Sequence, residues 1–214
     1  MKGILFKPWK IKAIADNPDR EWQTRRVIKP QPPVERLPDF HGSFSVSGHD
    51  YKPRYQVGEV VYIKEACSVY EGLCDWRVIY NDNQEAIVYP PERFISEHLI
   101  DSTCEYTART TPAWTARYFI RIKDVRAERL QSITEEDAIA EGVTRPPNYS
   151  LTPYYIEWFR WLWNRINKLP FDWQSNPWVW VYTFEQEKPC FYSHENMKGS
   201  KTAIGKKEKK APSF

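Results

Sequence analysis

The chain has 214 residues and a mass of 25.5 kDa, enough for one well-buried core, and shows no compositional break that would divide it into two equal domains. Its formal charge is +3, but residues 1–36 and 195–214 carry +5 and +4, while residues 37–194 hold sixteen cations against twenty-two anions. A net-negative body excludes coating of long duplex by charge alone, which needs many phosphate contacts, and points to a local site instead.

Taken in chain order, Ile4-Leu5-Phe6 predicts a short buried strand, and Trp9 to Ala15 predicts one or two helical turns with Trp9, Ala13 and Ile14 on the apolar side. Asn17-Pro18-Asp19 ends that helix, because proline disfavours helix in the residue before it. Residues 30–56 are rich in Pro, Gly, Ser and His and read as a long loop. Val60-Val61-Tyr62-Ile63-Lys64 and Trp76 to Asn81 read as strands, with Glu65 at the end of the first. Residues 82–112 form an excursion without a readable pattern. Tyr118 to Val125 partly alternates apolar and polar residues, as a half-buried strand should.

Thr134-Glu135-Glu136-Asp137-Ala138-Ile139-Ala140-Glu141-Gly142 is the clearest local signal. Thr134 is the N-cap, acids fill the first turn, and Gly142 supplies a left-handed stop. A second helix opens at Thr152-Pro153, with Tyr155, Trp158, Phe159, Leu162 and Ile166 as its core face. Trp178 to Phe184 is apolar on both faces, which predicts a central strand or barrel stave, and residues 189–214 read as a flexible basic tail able to add weak nucleic-acid contact.

Strands separated by inserted helices suggest an α+β fold: a small β-barrel with peripheral helices, inserted loops and a disordered tail. No run is long and apolar enough for a membrane helix, and the start of the chain is too short in apolar residues for a signal peptide, so a cytoplasmic location is expected. Cys67, Cys74, Cys104 and Cys190 form no CxxC pair. With His98 they do not match the spacing of zinc fingers, so neither metal nor disulfide is expected. No Gly-rich phosphate loop, GxSxG or HExxH occurs, and no cofactor is expected.

Functionally the densest segment is Trp22-Gln23-Thr24-Arg25-Arg26-Val27-Ile28-Lys29, which packs a hydroxyl and three cations into one short stretch. Such a set can hold an anion or a polar ring. Arg25, Arg26 and Lys29 can neutralise phosphate or bind a base edge, Thr24 and Gln23 can hydrogen-bond it, and Trp22 can stack on it.

Ile11-Lys12-Ala13-Ile14, Gln23 to Pro32, Tyr55 to Glu59 with Lys64-Glu65, Asp124 to Ala138 with Glu141-Gly142, and Asn176 to Trp180 together resemble the ASCH domain of phage and prophage proteins. The resemblance spans roughly residues 1–186, which puts the domain at 1–188 with the tail outside it. It implies a PUA-like β-barrel and a cleft lined by the motif GxKxxTxR, in a phage-encoded protein of the host cytoplasm. It further implies binding of single-stranded RNA or a modified nucleotide. Some members resemble amidohydrolases that remove an acyl group from the exocyclic nitrogen of cytidine with the motif's Lys and Thr and a later Glu. Thr24 and Arg26 fall on the motif's Thr and Arg, and Glu141 on its Glu. Glu21 stands where the Lys belongs and Asp19 where the Gly belongs.

The expectations are therefore a nucleotide-binding module first, and an acylcytidine amidohydrolase with Thr24, Glu141 and Glu65 as catalytic residues second. A phage factor that engages a host protein is the third. A carboxylate at position 21 can serve only as a base or a different nucleophile, and Arg20 or Lys29 would have to supply the missing cation.

Overall fold

The computed structural model describes residues 1–33, 42–71, 76–88, 90, 103–143 and 155–187. Its main sheet is built from β1 (Gly3–Leu5), β2 (Trp22–Val27), β5 (Val60–Lys64), β10 (Phe119–Arg129) and β11 (Trp178–Glu187), in the order β1-β5-β10-β11-β2. Only the β1–β5 pair is parallel; β10 bridges β5 and β11, which gives the antiparallel partners of the sheet's centre. β11 lies between β10 and β2, the central position its two apolar faces predict. Trp180, Tyr182 and Phe184 enter one core with Ile11, Ile14 and Trp22, while Val179 and Val181 enter a second with Leu130, Phe159 and Trp163.

These two cores cover opposite faces of the sheet. On one lies helix α1 (Pro8–Asp16); on the other lie α2 (Glu135–Ala140) and α3 (Tyr155–Ile166). α2 carries the anticipated cap in full: the Thr134 hydroxyl accepts from the Asp137 N–H at 3.2 Å, and the Asp137 carboxylate accepts from the Thr134 N–H at 3.4 Å. Gly142 ends it at φ +89°, and a Cβ there would stand 3.1 Å from the Trp9 ring and 3.3 Å from the Trp22 ring. Both the backbone angle and the close approach of two indoles thus require glycine.

A second sheet, in the order β8-β7-β6-β9, comprises β6 (Cys67–Glu71), β7 (Trp76–Tyr80), β8 (Glu85–Val88) and β9 (Cys104–Tyr106), and has its own small core around Val69 and Val78. Part of the unreadable excursion is therefore strand. The Tyr80 and Tyr62 hydroxyls fasten the segment before β10 by donating to the Thr115 and Thr111 carbonyls at 2.7 and 3.1 Å.

The α+β class holds, with strands dominant. Among the described residues, however, the main sheet is open rather than closed into a barrel, with β1 and β2 as its edges. Four further strands form the second sheet around a separate core. The expected loop over residues 30–56 also contains a hairpin, β3 (Phe44–Val46) and β4 (His49–Tyr51), joined through Ser47 and Gly48 at φ 51° and 76°. Phe44 stacks on Tyr51 at 4.9 Å, and both close the first core over Trp180.

Two helix faces also differ from expectation. α1 buries Lys10, Ile11 and Ile14 and leaves Trp9 41% exposed. α3 buries Phe159 and Trp163, whereas Trp158 and Ile166 face outward. Trp163 is drawn in because its indole N–H donates to the Phe171 carbonyl at 2.8 Å. Cys67 and Cys104 are free thiols, and no cluster of metal-ligating side chains occurs among the described residues. Cys74, Cys190, His98, the helix start at Thr152-Pro153 and the tail 189–214 lie outside the described residues. No described helix is long and apolar enough to cross a membrane.

Phe184 is fully buried in the central strand. Phe184→Ala is expected to lower the unfolding free energy by about 3–5 kcal/mol, read as a reduced urea midpoint with unchanged slope.

Candidate functional site

The Thr24-containing segment is an edge strand, and the two-residue period of β2 divides its side chains between two environments. Trp22, Thr24 and Arg26 stand opposite Phe184, Tyr182 and Trp180 on the face of α1, whereas Gln23, Arg25 and Val27 stand opposite Thr183, Val181 and Val179 on the face of α2 and α3. The Gln23 carbonyl is turned away from β11 and accepts a hydrogen bond from Lys10 Nζ. The same period turns the Arg25 peptide groups outward, so the open edge of the sheet offers its main chain to anything lying along it.

A buried ionic network fixes this edge. Glu141, only 7% exposed, accepts from Lys10 Nζ at 2.9 Å through one oxygen and from Arg25 Nη1 at 3.4 Å through the other. Arg25, whose side chain is wholly buried, also donates to Asp137 at 2.8 Å. Glu128 faces it at 3.6 Å, an electrostatic contact beyond hydrogen-bond length. Asp137 is the N3 residue of the α2 capping box, so the cap that starts the helix also aims the acid that holds Arg25. Two buried cations thus share Glu141, and each has a further acceptor, which is the condition for tolerating charge in an interior.

Lys10 is the residue that sequence reasoning missed. Burial pushes its ammonium pKa below the ordinary value, with Glu141 opposing that shift and Arg26 and Arg25 adding to it. Its nitrogen also lies 5.3 Å from the Phe6 ring centre and 5.9 Å from that of Phe184. An ammonium has three N–H donors, and Gln23 and Glu141 take two. One signal was available: Lys10 lies four residues before the core residue Ile14, on the inward stripe of α1.

Around the β2 edge runs a cleft of about 630 Å³, into which Lys10, Thr24, Arg25, Arg26 and Glu141 all reach. The Thr24 hydroxyl has no protein hydrogen-bond partner among the described residues. Arg26 lies over the Phe6 ring at 5.6 Å and donates to the Leu5 carbonyl, and burial lowers its pKa from the ordinary arginine value. At the rim, Lys7, Lys29 and Arg109 are exposed and form no ion pair among the described residues; Lys29 lies 4.6 Å from the Phe171 ring.

The sequence-derived residues therefore separate into three groups. Thr24, Arg26, Lys29 and Glu141 meet in one cleft. Arg25 forms its floor but is committed to acids, and Gln23 contributes its carbonyl to Lys10 and its side-chain oxygen to Arg25. Trp22 is 1% exposed beneath Arg20, so burial in the core replaces the stacking role expected of it.

Glu65 lies elsewhere, bound through both oxygens to Arg117 at 2.8 and 3.0 Å in a separate cleft. Its expected place beside Thr24 is corrected, because β5 carries it to the other side of α1. Glu21 is exposed and unpaired among the described residues. Arg20 donates to the Ile139 carbonyl at 2.7 Å and does not supply the motif's cation; Lys10 brings an amine to Thr24 and Glu141 from a different element. No family model, curated protein or solved structure matches this chain.

Glu141→Gln neutralises the acid that, among the described residues, alone touches both buried cations. A loss of about 3–5 kcal/mol is expected in urea unfolding, the range for breaking a buried pair on one side. A second expectation concerns alkaline pH. Because the folded state binds the Lys10 proton more weakly than the unfolded chain, stability rises with pH between the lowered folded value and 10.5. Lys10→Met lacks that rise, so urea midpoints measured across this range should show the parent gaining on the variant as pH increases.

Proposed function

We propose that this chain is a PUA-like, ASCH-type module that binds a nucleotide, or a base turned out of single-stranded RNA, in the cleft along the open edge of β2. One observation carries the reading: Lys10, Thr24, Arg26 and Glu141 converge in a 630 Å³ cleft whose rim bears Lys7, Lys29 and Arg109, cations without an ion pair among the described residues. That volume lies within the usual range for small-molecule sites. Rim cations suit a phosphate, whereas the interior supplies donors from Lys10 and Thr24 and acceptors from Glu141, the mixture a base edge requires. The aromatic wall is Phe6 and the exposed Trp9 in place of Trp22.

A second reading, hydrolysis of an acylated cytidine, is favoured by the desolvated Lys10 amine hydrogen-bonded to Glu141. In that reaction Glu141 takes a proton from water as the water attacks the acyl carbonyl, and the Thr24 hydroxyl donates to the carbonyl oxygen. Lys10 then gives its proton to the departing exocyclic nitrogen as the C–N bond breaks. Glu141 returns its proton to Lys10, leaving a carboxylic acid and cytidine.

Titration calorimetry with the four nucleoside monophosphates tests the first reading. Arg26→Ala should weaken binding about tenfold or more, the effect of losing a charged hydrogen bond of about 1.5–3 kcal/mol; equal affinities for variant and parent would overturn the assignment. The second is tested by chromatography of N4-acetylcytidine incubated with protein. Turnover should be abolished in Lys10→Met and in Thr24→Val, each measured on protein that keeps a cooperative urea transition. Absence of free cytidine with high concentrations of the parent protein removes catalysis and leaves the binding reading in place.

A further inference from the structure

A second cleft of about 540 Å³ lies on the other side of α1, between that helix, the end of β5 and the turn that joins β7 to β8. It abuts the first. Phe6 and Trp9 line both, and the neighbouring residues Ala108 and Arg109 border one each. Lys64, in the second cleft, donates to the carbonyl of Arg109, in the first, at 2.7 Å. The wall between them is thus one aromatic ridge, topped by the 41%-exposed Trp9.

The distribution of charge across this ridge has a specific form. Within the second cleft every cation meets an acid or a carbonyl: Arg117 is held by Glu65 and Asp82, each at 2.8 Å, and Lys12 pairs with Asp16 at 3.3 Å. Against the desolvation of burial, the hydrogen bonds to Glu65 and Asp82 hold the Arg117 pKa above its ordinary value. Arg117 also donates to the Gln84 side-chain oxygen at 2.7 Å, which orients that amide. An electrically balanced pocket with amide groups and the Tyr118 ring has little to hold a phosphate, but much to hold an uncharged base. Lys7 and Arg109, exposed and without an ion pair among the described residues, stand beside the ridge.

We propose that the second cleft is a subsite for the neighbouring base of a single-stranded nucleic acid. One base occupies the β2 cleft, the next crosses Trp9 into the pocket between α1 and the β7–β8 turn, and the linking phosphate lies against Lys7 and Arg109. In a strand the phosphates lie between the bases, so cations belong on the ridge and neutral polar groups in the pockets on either side. This inference rests on the nucleotide reading of the first cleft and extends it to a ligand of at least two residues.

Calorimetry with the four ribonucleoside monophosphates, the four matching homodinucleotides and their deoxy counterparts separates the two claims. The expected result is that at least one dinucleotide binds tenfold or more tighter than its mononucleotide. Gln84→Ala and Lys12→Glu, both outside the first cleft, should each bring the dinucleotide back toward mononucleotide affinity without changing the latter. Mononucleotide binding with no gain for any dinucleotide overturns the second subsite and leaves the first reading standing. Binding of neither overturns both. A preference between ribo- and deoxyribodinucleotides identifies the sugar.

Discussion

The arrangement depends on one buried carboxylate. Glu141 sits at the end of α2 and takes Lys10 from α1 with one oxygen and Arg25 from β2 with the other, so the successive elements α1 and β2 meet a helix more than a hundred residues further on at a single side chain. Taking such charges out of water costs several kcal/mol per ion, and their mutual attraction roughly offsets that when every group is paired. The network therefore ties α1 to the β2 edge: Lys10 reaches Glu141 and the Gln23 carbonyl together.

Strand alternation then assigns opposite duties to adjacent residues of the same type. Arg25 points toward α2 and α3 and is consumed by Asp137 and Glu141, whereas Arg26 points toward α1 and remains in the cleft. A one-residue slip of β2 would exchange them, turning Arg25 away from its acids and Arg26 toward them. Arg117 repeats the logic of Arg25 in the second cleft: it lies between acids, with Tyr80 and Tyr118 rings 4.1 and 4.9 Å away, and locks the turn after β7 to the end of β5. Both arginines shape pockets whose contents they have little freedom to bind.

Features whose cause is local were legible in the chain. The α2 cap and its glycine stop, the central strand with two apolar faces and the short strand at Ile4 are each decided within a few residues. Features decided at a distance were not. The hairpin over residues 44–51 hides in a Ser- and Gly-rich stretch, and Phe44 and Tyr51 are buried by packing into the first core, with Phe44 against Trp180. The closed barrel failed as an expectation because strand count does not say which strands pair; here four of them share a separate core.

The site divides along the same line. Residue types at close spacing were enough to single out Thr24, Arg26 and Lys29, because side-chain chemistry and strand period are properties of the chain itself, whereas Glu141 entered only through the family resemblance. That Arg25 is neutralised, that Glu65 belongs to another pocket and that Lys10 stands beside Glu141 required the fold. Burial and pairing are relations between residues up to 131 positions apart, and only tertiary packing sets the distances on which charge interactions depend.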